Sequence, residues 1–367
     1  MKSRKEDHLR ICLEKNVEAK GKSAGFEEVF LIHQALPELN LSDVKTETVF
    51  LNHRFSAPII VEGMTGGTSR ALEINSAIAQ AVEDLGLGMG VGSQRAALEN
   101  PEIEKTFAAV RDKAPNAFII SNIGGPQIAG GCSIDKIIRA VEMINADAIA
   151  VHLNPLQEVI QPEGEKIYSG VIDNIRKIVE KLDVPVIVKE TGAGISAEAA
   201  RKLKEAGVAC IDVAGAGGTS WAAVEYYRAL EQGDSSGQEL GLLLWDWGIP
   251  TVISLVEVVQ SVELPVIASG GLRSGLDIAK AIALGASMAG LARPILISAS
   301  RGYEDVKRNL CSLINHLRNI MFLVGAASIE ELREAPLVIL GRTAEWLKAR
   351  GFNLEIYARR KPKNERR

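Results

Sequence analysis

The sequence predicts an α/β fold, a TIM (β/α)8 barrel with an N-terminal helical extension and a C-terminal helical tail. Two observations indicate it: an apolar run followed by an amphipathic helical stretch recurs along the chain, and polar residues follow many of these runs. Strands that alternate with helices pair in parallel, because each helix returns the chain to the start of the next strand. Eight such units are enough to close a barrel.

Eight runs rich in Val, Ile and Ala are the candidate barrel strands. In chain order they are 58–64, 87–93, 117–124, 148–154, 184–191, 210–215, 264–271 and 288–294. An open doubly wound sheet is the alternative, but it binds its ligand at one crevice, whereas polar residues here follow several different runs. We expect a barrel at residues 57–325, an N-terminal extension at 1–56 that contributes phosphate contacts, and a C-terminal helical segment with a basic tail at 326–367.

The additions to the barrel carry their own signals. Two stretches have the Ser-x-x-Glu spacing of a capping box, Ser3–Glu6 and Ser328–Glu331, and the first predicts a helix that begins near Arg4. The excursion at 226–250 lies between the sixth and seventh runs, and its segment 231–237 is rich in Gly and Ser, which predicts mobility. A lid over the barrel mouth and an ordinary surface loop both remain open.

Composition and charge exclude several classes of protein. A hydrophobic content of 47% is ample for a core, and a net charge of −4 gives no overall basic field for nucleic acid. The cationic run 359–367 is typical of a solvated chain end. No stretch approaches the roughly 18 apolar residues of a membrane span, and the N-terminus has no apolar signal region. The four cysteines, at 12, 132, 210 and 311, form no Cys-x-x-Cys pair, so we expect a cytoplasmic protein.

Four polar residues gather at the end of the fourth run. His152 and Asn154 share a strand face with small alanines, while Ile149 and its neighbours share the other. Pro155 cannot continue the ladder, so we expect Gln157 and Glu158 in the loop above the strand, and we expect a site there. Glu158 could hold Mg²⁺ only together with waters and a substrate phosphate, since no partner carboxylate lies nearby in sequence.

Glycine-rich turns end the seventh and eighth runs and look like a phosphate cradle. The first is 268–275 and the second is 290–294. Glycines let backbone N–H groups approach an anion, and loops in these positions form the usual phosphate site of such barrels. The segment 192–197 also fits a dinucleotide fingerprint, but Asp212, the candidate ribose-binding acid, lies within a strand, which argues against that reading.

Several cations could meet an anion in the barrel mouth. Lys189 ends a buried-looking run, and it could form a Schiff base, pair with Asp212 or stabilise negative charge on a cofactor. Arg4, Lys5 and His8, with Arg95 after the second run, could bind a second phosphate group or be solvated surface charges. The three remaining histidines lie in no polar cluster: His33, His53 and His316.

An ordered set of motifs from Arg4 to about Pro294 resembles the type 2 isopentenyl-diphosphate isomerases. The motifs are Arg4-Lys5-x-x-His8, Met64-Thr65-Gly66-Gly67, Gly92-Ser93-Gln94-Arg95, Ser121-Asn122, His152-Leu153-Asn154-x-x-Gln157-Glu158, Val188-Lys189, Gly217-Gly218-Thr219-Ser220-Trp221 and Ser269-Gly270-Gly271-Leu272-Arg273. The resemblance implies a barrel that binds FMN and Mg²⁺ and interconverts isopentenyl and dimethylallyl diphosphate in isoprenoid biosynthesis. It further implies that NADPH or NADH keeps the flavin reduced, that N5 of the reduced flavin transfers the protons, and that the protein is a homo-oligomer, a tetramer or octamer.

The same resemblance implies roles for individual residues. FMN would be bound by Thr65, Gly66, Gly67, Ser93, Asn122, Lys189, Thr219, Gly271, Leu272, Arg273, Ala292 and Arg293. Substrate would be bound by Arg4, Lys5, His8, Ser93, Gln94, Arg95, His152, Asn154 and Gln157. Catalytic roles would fall to Gln157, His152, Asn154 and Lys189, and Glu158 would bind the magnesium ion. The segment Glu330–Lys348 could form an interface between subunits.

Two other activities remain as alternatives. An FMN-dependent 2-hydroxy-acid oxidoreductase shares the phosphate cradle, but it needs a histidine base after a late strand, and neither 214–220 nor 268–273 contains one. A Schiff-base aldolase would use Lys189. A dehydrogenase with a nucleophilic cysteine is disfavoured because Cys132 and Cys210 are poorly placed. A non-catalytic flavin or phosphate binder would not need the polar group at 152–158.

Overall fold

The structure is a computed structural model that describes residues 4–129 and 133–361. Ser3, Cys132 and the end of the basic tail, residues 362–367, lie outside the described residues. In the part that is described, no helix is long and apolar enough to cross a membrane.

The strands and helices alternate along most of the chain. The strands are β1 Val29–Leu31, β2 Thr48–Phe50, β3 His53–Phe55, β4 Ile59–Val61, β5 Gly88–Gly90, β6 Phe118–Gly124, β7 Ala148–His152, β8 Val186–Lys189, β9 Cys210–Asp212, β10 Val266–Ala268, β11 Met288–Leu291 and β12 Leu337–Ile339. The helices are α1 Arg4–Glu14, α2 Ser69–Leu85, α3 Arg95–Glu99, α4 Lys105–Lys113, α5 Gly125–Ala129, α6 Ile134–Glu142, α7 Pro155–Ile160, α8 Val171–Lys181, α9 Ala197–Glu205, α10 Trp221–Gln232, α11 Ser235–Leu243, α12 Thr251–Ser261, α13 Gly275–Ala283, α14 Arg293–Ala299, α15 Tyr303–Leu323, α16 Ile329–Arg333, α17 Gly341–Ala349 and α18 Glu355–Ala358.

Eight strands, β4 to β11, form a closed barrel, and every neighbouring pair is parallel. The predicted TIM barrel is therefore confirmed, and each of the eight predicted runs contains one barrel strand. Except for β6, which ends with its run at Gly124, the observed strands are shorter than the runs at their C-terminal ends, because the last residues of those runs turn away from the ladder into the loops of the barrel mouth.

Side-chain alternation along β7 places two kinds of residue on its two faces. Ala148 and Ala150 belong to a cluster with residues from the other strands, whereas Ile149 and Val151 belong to the large core that includes the surrounding helices. The small alanines therefore face the barrel interior, and His152 follows on the same face. The β2–β3 hairpin contributes two aromatic side chains, Phe50 and Phe55, which also join the interior cluster.

The structure corrects three expectations about local structure. Gln157 and Glu158 lie in helix α7 and not in a loop, because Pro155 occupies the first helical turn, where its missing N–H is not needed. The segment 231–237 is not a loop either: it is the junction of α10 and α11, and the side chain of Asp234 accepts a hydrogen bond from the N–H of Gly237. The C-terminal tail is not wholly helical, since β12 pairs antiparallel with β1.

The N-terminal segment packs against the barrel mouth. Helix α1 begins at Arg4, as predicted, and the chain after it forms a bridge between Glu18 and Thr219. The N–H of Ala19 donates to the carbonyl of Gly218 at 2.9 Å. The N-terminal segment thus lies beside the loop that follows β9. The boundaries at residues 56 and 325 stay predictions.

Candidate active site

One cavity of about 240 Å³ opens at the C-terminal ends of the barrel strands. It brings together nearly all of the residues singled out from the sequence: Arg4, Lys5, His8, Thr65, Gly66, Ser93, Arg95, Asn122, His152, Asn154, Gln157, Glu158, Lys189, Thr219, Gly271, Leu272, Arg273, Ala292 and Arg293. These residues come from the N-terminal helix, from the C-terminal ends of barrel strands and from the segments that follow them, as the expected position of an active site in this fold requires.

Two of the predicted site residues, Gln94 and Gly67, do not line this cavity. The Gln94 side chain is fully buried, where Nε2 donates to the Ala140 carbonyl at 2.7 Å and Oε1 accepts from the Ser121 hydroxyl at 2.6 Å. Oε1 also accepts from the N–H of Asn122 at 3.0 Å, so Gln94 supports the end of β6 from behind. Gly67 lies behind the wall, where its N–H donates to the Thr106 hydroxyl at 3.0 Å.

His152 sits at the end of β7 as a neutral side chain. Its Nδ1 lies 2.7 Å from Oδ1 of Asn122, so this nitrogen donates to the amide oxygen. Burial, followed by the nearby Lys189 ammonium, lowers the pKa of His152 to about 3. Because the ring is neutral near pH 7, its remaining N–H can donate a hydrogen bond but is too weakly acidic to serve as a general acid.

Asn154, Gln157 and Glu158 form a hydrogen-bonded group at the start of α7. Asn154 Nδ2 donates to Gln157 Oε1 at 3.1 Å and to Glu158 Oε1 at 2.8 Å. Gln157 Nε2 in turn donates to Oε1 of Glu225, on α10, at 3.1 Å. Every member is buried, so the amide of Gln157 has a fixed orientation at the cavity wall.

The Glu158 carboxylate is suited to a shared magnesium site. Its Oε2 accepts from Nε2 of Gln161 and from the N–H of Glu165, both at 2.7 Å. Supporting donors of this kind orient a metal-binding carboxylate. No cluster of three or more His, Cys, Asp or Glu that could hold a metal ion occurs within 4–129 and 133–361. A magnesium ion here would therefore need oxygens from water and substrate, as the sequence indicated.

Lys189 is a buried ammonium group between two acids. Its Nζ lies 3.3 Å from Asp212 Oδ2 and 3.5 Å from Glu62 Oε2, and it donates to the carbonyl of Glu190 at 2.8 Å. Burial alone would lower the pKa of Lys189, but the charge of the adjacent Asp212 opposes this effect, and the pKa of Lys189 is raised. A Schiff-base lysine must lose its proton readily, so this environment disfavours the aldolase alternative.

The glycine-rich loops form a cradle that larger residues would fill. A Cβ atom on Gly218 would lie 2.5 Å from the backbone nitrogen of Gly271, and one on Gly270, whose φ is +93°, would lie 2.2 Å from the carbonyl oxygen of Gly215. Helix α13 begins beside this cradle, with a capping box formed by Ser274 and Asp277. Closely approaching backbone beside a helix N-terminus is what the phosphate of a flavin nucleotide requires.

The two arginines of the cradle contact the N-terminal segment. Arg273 and Arg293 donate to the carboxylate of Glu18 at 2.8 Å and 2.6 Å. Arg293 also donates to the carbonyl of Cys12 at 2.9 Å. These ion pairs join the segment after α1 to the loops that follow β10 and β11.

Helix α1 presents cations to the cavity beside the loop that follows β5. Lys5 Nζ donates to the carbonyl of Ser93 at 2.8 Å, and burial together with the adjacent Arg4 lowers the pKa of Lys5 to about 8. His8 Nε2 lies 2.8 Å from Oε1 of Glu225. Arg95 is ion-paired with both Glu99 and Glu165. The mouth therefore carries several positive groups from α1 and from the loop after β5.

Sequence reasoning missed four buried charged residues around the cavity: Glu62, Glu190, Glu225 and Arg228. Glu190 accepts three backbone N–H groups, those of residues 191–193, and Arg228 Nη1 donates to Glu225 Oε2 at 2.6 Å. One signal was available, since Glu62 and Glu190 are charged residues inside the predicted apolar runs 58–64 and 184–191. Glu225 and Arg228 lie three residues apart in a helix, which is also the spacing of an ordinary surface ion pair.

Comparisons with known proteins agree with this architecture. Residues 157–339 match the family of FMN-dependent dehydrogenases. Solved structures of mandelate oxidase superpose with a TM-score of 0.63 over 90% of this chain and 95% of that chain, at 22% identity, which shows the shared fold.

Relatives with curated names extend over nearly the full length of the chain. The isopentenyl-diphosphate delta-isomerase of Methanosarcina barkeri is 51% identical over 355 residues, covering 97% of this chain and 96% of the relative. The isomerase of the same name from Methanothermobacter thermautotrophicus is 50% identical over 357 residues, covering 97% and 99%. With half of its residues identical over this span, the chain belongs to the family of isopentenyl-diphosphate delta-isomerases.

Proposed function

We propose that the protein interconverts isopentenyl diphosphate and dimethylallyl diphosphate by a 1,3-allylic proton shift, with reduced FMN as the acid and base, in isoprenoid biosynthesis. The observation that carries the proposal is one cavity that combines a glycine cradle after β10 and β11, cationic groups from α1 and the loop after β5, and the amides of Asn154 and Gln157. The cradle suits the phosphate of a nucleotide, and the cationic groups suit a diphosphate substrate.

The cofactor would occupy the cradle and the adjoining strand ends. Backbone at Gly271, Leu272 and Ala292 would approach its phosphate, and Asn122 and Lys189 would face its polar ring atoms. When bound and reduced, the flavin supplies a weak acid and its conjugate base next to the substrate carbons, together with a negative charge. The positive charge of Lys189 is well placed to stabilise that charge.

The substrate diphosphate would meet the cationic groups. Arg4, Lys5 and Arg95 would supply positive charge, and the neutral side chains of His152 and Asn154 would lie beside the substrate. Glu158 would bind a magnesium ion that also contacts the diphosphate, so metal and substrate would bind together. The one N–H of the neutral His152 ring and the amide hydrogens of Asn154 are already donated to neighbouring side chains, so these two residues would shape the substrate site without supplying a proton to the reaction.

Gln157 would lie beside the five-carbon skeleton. Its amide is uncharged and fixed by Asn154 and Glu225, so it can position an alkene without protonating it. The Trp221 ring, which also lines the cavity, packs edge-on against His8 with ring centroids 5.2 Å apart. Closing the mouth with α1 would exclude water, which would otherwise trap a cationic intermediate.

Hydroxy-acid oxidation is a weaker fit to the cavity. The late-strand loops at 214–220 and 268–273 contain no histidine, and the cavity histidine His152 has a pKa lowered to about 3. His8 lies on the N-terminal helix and is paired with Glu225. A base that removes a proton from a hydroxy acid would need a different arrangement.

An anaerobic assay separates the two functions. Purified protein that contains FMN is mixed with isopentenyl diphosphate, Mg²⁺ and NADPH or NADH, and both product and reductant are measured. We expect dimethylallyl diphosphate to accumulate far beyond the reductant consumed. Consumption of one hydride per turnover, or no product, would contradict the proposal.

We further propose that the protein acts in the cytoplasm as a homo-oligomer, a tetramer or octamer. Exposed apolar side chains at Leu340 and Trp346 support an interface within 330–348. Light scattering after size-exclusion chromatography measures the assembly directly. A monomer at micromolar concentration would contradict this part of the proposal.

A further inference from the structure

Glu62 is an acid in the wall of the active-site cavity to which no role has been given above. It follows β4 directly, its backbone N–H donates to the carbonyl of Leu291 at 2.9 Å, and its residue is only 9% exposed. The backbone is therefore fixed to the neighbouring barrel strand, and Glu62 lines the cavity. A charged side chain in such a position is costly unless a partner compensates it.

The neighbouring strand leaves room for this carboxyl group. A Cβ atom on Gly290, in β11, would lie 2.1 Å from Glu62 Oε1 and 2.7 Å from the Ser269 Cβ. Any larger residue at position 290 would displace the acid. The barrel thus contains a glycine at the point where the acid needs space.

One carboxylate oxygen of Glu62 has no partner. Oε2 lies 3.5 Å from Lys189 Nζ, but Oε1 is buried and forms no hydrogen bond with any described residue. Buried polar atoms are nearly always hydrogen-bonded, so the unpaired oxygen of an acid that lines the cavity leaves one hydrogen bond for a ligand to complete once the side chain turns toward it.

The surroundings of Glu62 favour its neutral form. Asp212 accepts hydrogen bonds from the Ser269 hydroxyl at 2.6 Å and from the N–H of Ala214 at 3.2 Å, whereas no such donor contacts Glu62 among the described residues. Burial, followed by the charge of Asp212, raises the pKa of Glu62 to about 8. The Glu62 carboxyl group is therefore mostly protonated at neutral pH.

Three titratable groups face Glu62 from the strands around it. Lys189 on β8 and Asp212 on β9 form an ion pair, and Cys210 on β9 stays a neutral thiol because burial raises the pKa of its thiol group. Glu190, the next residue in the chain, helps to raise the pKa of Lys189. Burial raises the pKa of Glu190 itself to about 7. Ionisation of Glu62 would leave the cluster of Glu62, Lys189 and Asp212 with one net negative charge.

We propose that Glu62 is a cofactor-binding acid: its neutral carboxyl group hydrogen-bonds through Oε1 to a polar atom of the flavin ring, and its neutrality reserves the positive charge of Lys189 for the reduced, anionic flavin. The inference rests on the proposed FMN cofactor. Glu62 would then determine how much more tightly the protein binds reduced flavin than oxidised flavin. Loss of its proton would place a second anion beside the flavin anion and lower the midpoint potential.

The test compares wild type, Glu62→Gln and Glu62→Ala as full-length, FMN-loaded proteins. The midpoint potential and the dissociation constant of FMN are measured from pH 6.5 to 9.5. Gln keeps a neutral hydrogen-bonding group, so Glu62→Gln should match wild type below pH 8. Above pH 8 the midpoint potential of wild type should fall further than that of Glu62→Gln. The expected difference is roughly 30 mV for a two-electron couple, which corresponds to about a tenfold change in the affinity for reduced flavin relative to oxidised flavin.

Glu62→Ala should weaken FMN binding by about tenfold at pH 7, the effect of one lost hydrogen bond of typical strength. Glu257→Gln is the matched control, because Glu257 is 1% exposed and paired with Arg350 on the outer helices. Glu257→Gln should change neither the midpoint potential nor the dissociation constant of FMN. If wild type binds FMN and both Glu62 variants match it at every pH, the Glu62 proposal is overturned while the proposed function stands. If wild type binds no FMN, both are overturned.

Discussion

At the scale of single residues, the site depends on side chains whose charge is fixed by their neighbours. His152 is neutral because it is buried beside Lys189, and Lys189 is charged because it lies between two acids. Glu158 is held by three donors, from Asn154, Gln161 and the backbone of Glu165. Each of these states follows from burial and hydrogen bonding together, and each predicts what a substitution would do.

Replacing Glu158 with glutamine should weaken magnesium binding. The amide keeps the size of the side chain but loses the negative charge that Mg²⁺ prefers. We expect the Mg²⁺ concentration for half-maximal activity to rise by about tenfold or more, the range found when metal sites lose supporting groups. FMN content should not change, and the exposed Glu102→Gln variant serves as control. An unchanged requirement for Mg²⁺ would rule out Glu158 as its ligand.

The site residues could be predicted from sequence where a motif contains them. They could not be predicted where distant parts of the chain meet only after folding. The amides at Asn154 and Gln157 follow a strand in sequence and could be placed. Glu62 and Asp212 are 150 residues apart, and only closure of the barrel brings both to Lys189. Whether a carboxyl group is neutral depends on such distant neighbours, so sequence alone cannot assign its state.

At the scale of elements, helix α1 brings positive charge to a barrel that would otherwise lack it on that side. It packs along α10 through the His8–Glu225 contact and the pair between Arg10 and Glu231. Lys5 reaches the loop after β5 from this helix. The helix is thus part of the site as well as an extension of the fold.

The pKa of Lys5, lowered to about 8, predicts an alkaline limit on substrate capture. Because a lysine is charged below its pKa, positive charge is present at pH 7 and is lost as the pH rises through about 8. We expect kcat/KM to fall on this limb, since it reports the free enzyme. Lys5→Arg, which stays charged, should remove the limb. If kcat/KM of Lys5→Arg falls over the same pH range, the group that titrates there is not Lys5.

Gly217 should be essential for packing of the N-terminal segment on the loop after β9. Its φ is +108°, and a Cβ atom would lie 2.1 Å from the backbone nitrogen of Ala24. Gly217→Ala should therefore lower the free energy of unfolding by about 3 kcal/mol or more. Gly233 also has positive φ, +72°, but has nothing within 4 Å. Gly233→Ala should cost about 1–2 kcal/mol, and urea titration compares the two.

The order of strands and helices was predictable from apolar runs, but their ends were not. An apolar run does not show at which residue the strand pairing ends, because apolar residues continue into the loops at the barrel mouth. Helix α7 was missed since Pro155 was read as the start of a loop, although proline also suits a first helical turn. The β1–β12 pair was missed because two strands of three residues, about 300 positions apart, leave no local pattern.

At the scale of the whole molecule, the barrel places a flavin cradle and cationic groups on one cavity. Its lining extends from Arg4 to Leu296, so nearly the whole chain must fold before the site exists. The relatives match over this same span, which agrees with a site that uses both the barrel and the N-terminal helix. The central claim is that the flavin in this cavity serves an isomerisation and is not consumed by it.

The most direct test counts product molecules per reduced flavin. Protein loaded with FMN is photoreduced without any NADPH or NADH, and isopentenyl diphosphate and Mg²⁺ are added under anaerobic conditions. We expect many molecules of dimethylallyl diphosphate per flavin, and we expect the absorbance spectrum at the end of the reaction to be that of reduced flavin. One product per flavin, together with reoxidation of the flavin, would contradict it.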